Sequence, residues 1–299
     1  MNWILRHPTA VLILAIVLLV VGLLGVGVYV VIRPRKIVAR AQANLPAEGF
    51  DHQPFAALLG RFVAASGEVD YAAWHADPSS RDELERYLAN LAAASPKNAP
   101  ERFPEASERL AYYLNAYNAC VIVGVLRHWP LKTVHEVVGP AELKAGFGFF
   151  ARLQFNLGGE WMSLHHLEQG LIRVEYTDPR VHFLLNCAST SCPPIRPELP
   201  SGPDLEDRLA TAAREFVNDP RQVRIDVAEK RVRVSSIFVW YEADFLAELK
   251  RRGLPPAEQT LIRYLKDLAA PPLAEQLGKA RAEGYVVEAI DYDWSLNGS

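Results

Sequence analysis

The densest collection of reactive side chains runs from Asp178-Pro-Arg-Val-His182 into Asn186-Cys187-Ala-Ser-Thr-Ser-Cys192-Pro-Pro. Two chemistries compete for it. In the first, Cys192 or Cys187 is a nucleophile and His182 its base, because a thiol needs a neighbouring imidazole or helix N-terminus to ionise near neutral pH. Hydrolysis or transfer at a peptide or amide bond would follow. In the second, His182, Cys187 and Cys192 hold zinc. Their His-x4-Cys-x4-Cys spacing is not the tight Cys-x2-Cys knuckle of ordinary zinc sites, so no metal is expected. A disulfide between Cys187 and Cys192 is a third possibility if the loop bends back.

A second group surrounds Glu168 and Arg173, with His165 and His166 a turn earlier. Leu164, Leu167 and Leu171 set Glu168 beside a buried stripe. No phosphate-binding loop, dinucleotide glycine fingerprint, His-Glu-x-x-His or Gly-x-Ser-x-Gly occurs, and no cofactor is implied.

The elements that must position these groups follow from periodicity. Helices are predicted over about 54–65, 82–94, 105–128, 163–172, 204–217, 242–251, 257–269 and 272–283. The 105–128 helix is apolar nearly all round from Leu110 to Leu126, which predicts burial on every side. Asn115 and Asn118 interrupt it and must find partners, at a cost of roughly 1–3 kcal/mol for each that does not. Hairpins are predicted at 152–163 and 223–235, with a closing strand at 285–292. Residues 180–187 read as a buried strand that sets His182 and Asn186 on one face and Cys187 on the other. The expected fold is α+β: one mixed or antiparallel sheet with packed helices, occupying 51–299 behind a 33–50 linker.

At the N-terminus, Pro8 to Ile32 holds no charged residue and ends at Arg33, Arg35 and Lys36. Its length suits a hydrocarbon core of roughly 30 Å, so a single transmembrane anchor is expected, with the lipid bilayer as its partner. Of 32 basic and 35 acidic residues, five basic and no acidic ones fall within 1–40, leaving 27 against 35 for the rest. That acidic balance excludes a nucleic-acid-binding face. Basic residues after the apolar run favour a cytoplasmic domain under the positive-inside rule. The predominance of Arg over Lys hints at bacterial coding.

Five blocks carry a resemblance to a known family. They are Asn115-Ala-Tyr-Asn118, Leu167-Glu168 with Leu171-Ile-Arg173, Asp178 through Pro193, Phe238-Val-Trp-Tyr241 with Asp244-Phe245, and Tyr292-Asp-Trp294-Ser-Leu-Asn297. Together they resemble the domain of unknown function 547 (DUF 547) family over roughly 69–297. The resemblance brings no established activity. It implies a distant likeness to papain-like and transglutaminase-like folds, and an exported, periplasmic setting that runs against the flanking charges. Those enzymes place their cysteine at the start of the buried helix, whereas Cys120 here lies deep inside it. The candidate catalytic residues are therefore His182, Cys192, Cys187 and Glu168. Asn115, Asn118, Arg173, Arg180 and Asp244 are candidate binding residues. The rival expectation is a non-enzymatic, membrane-tethered module for a peptide, glycan or protein partner.

Overall fold

A computed structural model describes residues 33–138 and 145–299. Helices α1 (Gln53–Phe62), α2 (Tyr71–Ala76) and α3 (Pro78–Ala93) open the fold around a long central helix, α4 (Ala106–Arg127). Asp70 and Asp77 cap α2 and α3, each accepting a backbone N–H of the first turn. Glu105 and Glu108 close a capping box at the start of α4. Every side chain from Leu110 to Leu126 on α4 is buried, as its all-round apolar pattern requires.

The structure corrects the single sheet to two small ones, each mixed. In the first, β1 (Arg35–Ile37) runs parallel to β2 (Leu153–Leu157), which pairs antiparallel with β3 (Glu160–Ser163). In the second, β4 (Val223–Asp226) pairs antiparallel with β5 (Arg231–Ser235), and β6 (Val286–Ile290) adds in parallel. Each hairpin recruits its third strand from a distant part of the chain, so the two hairpins never share a ladder. Strand β1 lies within the stretch read as a linker. The other correction concerns the membrane: among the described residues no helix is long and apolar enough to cross one. The apolar run at 8–32 lies outside the described residues.

Two apolar cores result. The first gathers α1 to α4 and the first sheet around residues such as Trp74, Tyr112 and Phe155. The second packs α5 (Leu205–Asn218), α6 (Ser236–Trp240), α7 (Glu242–Arg251), α8 (Leu261–Leu268) and α9 (Pro271–Ala282) against the second sheet.

The segment read as a strand at 180–187 is instead a 3-10 helix, Pro179–Phe183, running into a turn. Asp178 caps it, its carboxylate accepting Arg180 N–H at 2.9 Å, and Pro179 occupies the first helical position. The cap and the proline favour a helical turn over extension. Val181 and Leu185 enter the first core while Phe183 enters the second. His182 is thereby held at the seam between them, 3 % exposed.

Candidate functional site

The groups around His182 come from four elements. Its Nε2 lies 2.8 Å from Asp244 Oδ2, in the first turn of α7. The fork of Arg173 grips the same carboxylate, with Nε at 2.7 Å from Oδ2 and Nη2 at 2.8 Å from Oδ1. Tyr241 stacks on the imidazole at 3.8 Å between centroids, and the Arg173 guanidinium lies over the same Tyr241 ring, 5.0 Å from its centroid. The Tyr241 hydroxyl donates to Glu168 Oε1. Gln169 joins the cluster, donating to Glu168 Oε1 at 2.8 Å and accepting from Arg173. Tyr117 on α4 completes it, with its hydroxyl 3.5 Å from Glu168 Oε2.

Local structure explains the convergence. His166–Ile172 winds as a π-helix, entered through Ser163 Oγ, which accepts the His166 N–H at 3.1 Å. Its wide turn bonds Arg173 N–H back to the Glu168 carbonyl and sets these two side chains on one side. Burial works to raise the Asp244 carboxyl, but hydrogen bonds from His182 and Arg173, with the Arg173 charge, outweigh it and hold the group well below the usual carboxylate range. Burial, and then the Glu168 charge, push the Tyr117 and Tyr241 hydroxyls up, so both remain donors.

The loop after His182 carries a second constellation. Cys187 and Cys192 are joined in a disulfide. Ala188, at φ 61, takes the left-handed turn that brings the chain back on itself, and Asn186 Oδ1 accepts its N–H at 2.8 Å. Tyr292 stands over the sulfurs: its hydroxyl accepts from Ser189 Oγ at 2.9 Å, donates to Cys192 Sγ at 3.2 Å and lies 3.1 Å from Cys187 Sγ. Burial pushes the Tyr292 hydroxyl up to about 12, leaving it protonated at neutral pH. The remaining cysteine, Cys120, is a buried thiol inside α4, and burial drives its ionisation upwards. Among the described residues, no sulfur bonds to the His182 ring, and no cluster of His, Cys, Asp and Glu could hold a metal.

Glu168, Arg173, His182 and Asp244 are thus brought together, while Cys187 and Cys192 form a separate group. Asn118 holds the intervening turn: its Nδ2 donates to Leu184 O at 2.8 Å and its Oδ1 accepts Asn186 N–H at 2.9 Å. Asn115 donates to Pro200 O at 2.9 Å, while its buried Oδ1 finds no partner among the described residues. Arg180 is elsewhere, paired with Asp178 and with Glu206 on α5. Tyr117, Tyr241 and Tyr292 are site residues that reasoning from the sequence passed over. All three stood inside the blocks that carried the family resemblance.

A groove of about 730 Å³ opens on the sulfur side. Asn118, Asn186, Ser189, Cys192, Tyr292 and Asn297 are among its walls; His182, Asp244 and Glu168 are not.

Residues 101–217 match the model of the family described as "Protein of unknown function, DUF547". That stretch, well under half of the chain, is similar to the DUF547 family. The DUF547 match takes in Tyr117, Glu168, Arg173, His182 and both bridged cysteines, whereas Tyr241, Asp244 and Tyr292 reach the site from beyond it. No curated protein and no solved structure matches the chain, so the likeness to papain-like and transglutaminase-like folds gains no support.

Proposed function

We propose that the protein is a binding module whose groove receives a peptide segment. One observation carries this reading: the two cysteines that would serve a thiol enzyme are bonded to each other, and His182 is occupied by Asp244. A thiolate beside the imidazole, which acyl transfer by a cysteine requires, is missing from that arrangement. The groove fits a peptide by volume and chemistry. Ligand sites span roughly 300–1,000 Å³ and combine apolar surface with a few placed polar groups. Here Phe183 and Phe216 contribute apolar wall, and Ser189, Thr190 and Ser191 contribute hydroxyls. Its wall carries three arginines against six carboxylates, of which Arg196–Glu215 and Arg221–Asp219 are paired, and the acidic excess suits a peptide with positive charge. The charged cluster at His182 fixes the groove's floor through the Phe183–Leu184 turn. The disulfide supports an oxidising, extracytoplasmic setting.

The test is selection of a random phage-displayed peptide library on the full chain. Thr211, an exposed α5 residue on the groove wall, is then changed to Trp to fill the space. Enriched peptides should bind Thr211→Trp at least about tenfold more weakly, the equivalent of about 1.4 kcal/mol. Unchanged affinity would place the peptide elsewhere. Rapid iodoacetamide labelling of the unreduced, folded chain at Cys187 or Cys192 would restore the thiol-enzyme reading.

A further inference from the structure

We propose that Cys187–Cys192 is a thiol–disulfide exchange site that reacts with a dithiol while the protein stays folded, with Cys192 as the departing thiolate. The reactivity of the bridge is independent of what the groove binds, since it depends on the sulfurs and their partners and not on occupancy of the groove.

Three observations carry it. First, the bridge does little as a staple. It spans a sequence separation of 5, and the entropy a crosslink removes from the unfolded chain falls as the closed loop shortens. The loop is also held without it. Asn186 Nδ2 donates to Pro193 O at 2.7 Å, Cys192 N–H to Ser189 O at 3.0 Å, Asn297 N–H to Ala188 O at 3.1 Å, and Thr190 N–H to Ser295 O at 2.8 Å. Second, the sulfurs differ. Cys187 is the more open of the two, whereas Cys192 is 8 % exposed. Third, a backbone N–H is aimed at Cys192, while the hydroxyls are shared between the sulfurs, Ser189 Oγ and the Tyr292 hydroxyl also lying 3.0 and 3.1 Å from Cys187 Sγ. The backbone N–H of Cys187 points at Cys192 Sγ from 2.9 Å, and the Tyr292 hydroxyl donates to it from 3.2 Å. Ser189 Oγ donates in turn to the Tyr292 oxygen, which strengthens that hydroxyl as a donor. Hydrogen bonds to the charged form favour it, and a more acidic thiol leaves faster.

The exchange balances as follows. One thiolate of the dithiol attacks Cys187 Sγ, and the S–S electron pair departs with Cys192 as its thiolate. The second thiol of the dithiol then attacks its own sulfur in the mixed disulfide and releases Cys187. The dithiol loses two electrons and becomes a disulfide; the Cys187–Cys192 pair gains them.

The full chain is incubated with dithiothreitol without denaturant, then alkylated across a pH series and read by mass spectrometry of peptides. Reduction should proceed with the far-ultraviolet circular dichroism unchanged and Cys120 unlabelled. At about pH 6 Cys192 should alkylate about tenfold faster than Cys187. Tyr292→Phe, which keeps the ring and removes the donor, should shift the Cys192 alkylation profile to higher pH, and Ser189→Ala should do so by less. Reduction that occurs only together with Cys120 labelling, or only in denaturant, would mark the bridge as structural and overturn the proposal. Equal alkylation of both thiols at every pH, or a Cys192 profile unmoved in both variants, would overturn the assigned leaving group.

Discussion

The two ends of the segment from Asp178 to Cys192 are built on opposite terms. At the His182 end, full charges meet: one carboxylate, Asp244, serves both an imidazole and a guanidinium, and an aromatic ring stacks over the imidazole. The contacts reach across the seam of two apolar cores. At the sulfur end the partners are neutral, a disulfide with two hydroxyls and a backbone N–H. One end is therefore governed by proton concentration and the other by electron supply. The ligand-sized groove described above lies beside the second. The difference teaches that a cluster dense in titratable groups can serve as scaffold while a quieter neighbour carries the contact surface.

Breaking the seam should give the largest effect. Phe183 meets Phe216, Phe238 and Phe245 with centroids 5.2, 5.6 and 5.9 Å away. Phe183→Ala should cost about 3–5 kcal/mol in urea unfolding, and disturb both ends because their common segment loses its anchor. A loss under about 1 kcal/mol would mean that the second core does not hold this segment.

Asp244→Asn should come next, at about 2–3 kcal/mol at neutral pH, because charge-assisted hydrogen bonds to His182 and Arg173 are lost together. Its pH dependence separates the two ends. The Asp244 carboxyl is depressed in the folded state, against an unfolded value near 3.9. Its stabilisation is therefore complete above about pH 4 and declines as pH falls towards the folded value. The gap between Asp244→Asn and the parent chain should narrow from pH 7 to pH 3, while dithiothreitol reduction of the bridge at fixed pH is unaffected by the substitution. A constant gap would show that packing, not charge, is what Asp244 supplies.

The smallest effect belongs to Glu206→Gln. Glu206 is 74 % exposed at its ion pair with Arg180, and such pairs contribute at most about 1 kcal/mol. A shift beyond that range in thermal unfolding would place Arg180 in the charged cluster after all.

Much of this arrangement was readable from residue pattern. The all-apolar run of α4 announced its burial, and alternation around Gly158-Gly159 announced the β2–β3 hairpin. The closing strand at 285–292 was legible too and is β6, but β1 and the parallel pairing of both strands were not, because parallel pairing is set by long-range packing with no turn to mark it. The 180–187 stretch was misread because its apolar run masked Asp178-Pro179, a helix-start signal. Glu168, Arg173, His182 and Asp244 were all flagged, but not their convergence on one carboxylate. Tyr241 and Tyr292 escaped because a tyrosine hydroxyl carries no spacing signature; only the fold shows what it faces. Arg180 looked like a ligand-binding group from its neighbours in sequence and proves to tie the 3-10 turn to α5.

Residues 293–299 hold one more consequence. Leu296 N–H bonds Lys132 O, Asn297 N–H bonds Ala188 O, Val69 N–H bonds Asn297 O and Ala72 N–H bonds Ser299 O. Tyr71 O–H adds a buried bond to Asn297 Oδ1. This lacing joins segments separated by about a third of the chain or more. During synthesis, α2 and the cysteine loop would emerge well before their lacing and wait, unfastened, until it arrives. The cysteine loop therefore gains its last backbone partners only once residues 295–297 have been made, so the order of translation as well as the finished fold decides when that loop is fully fastened.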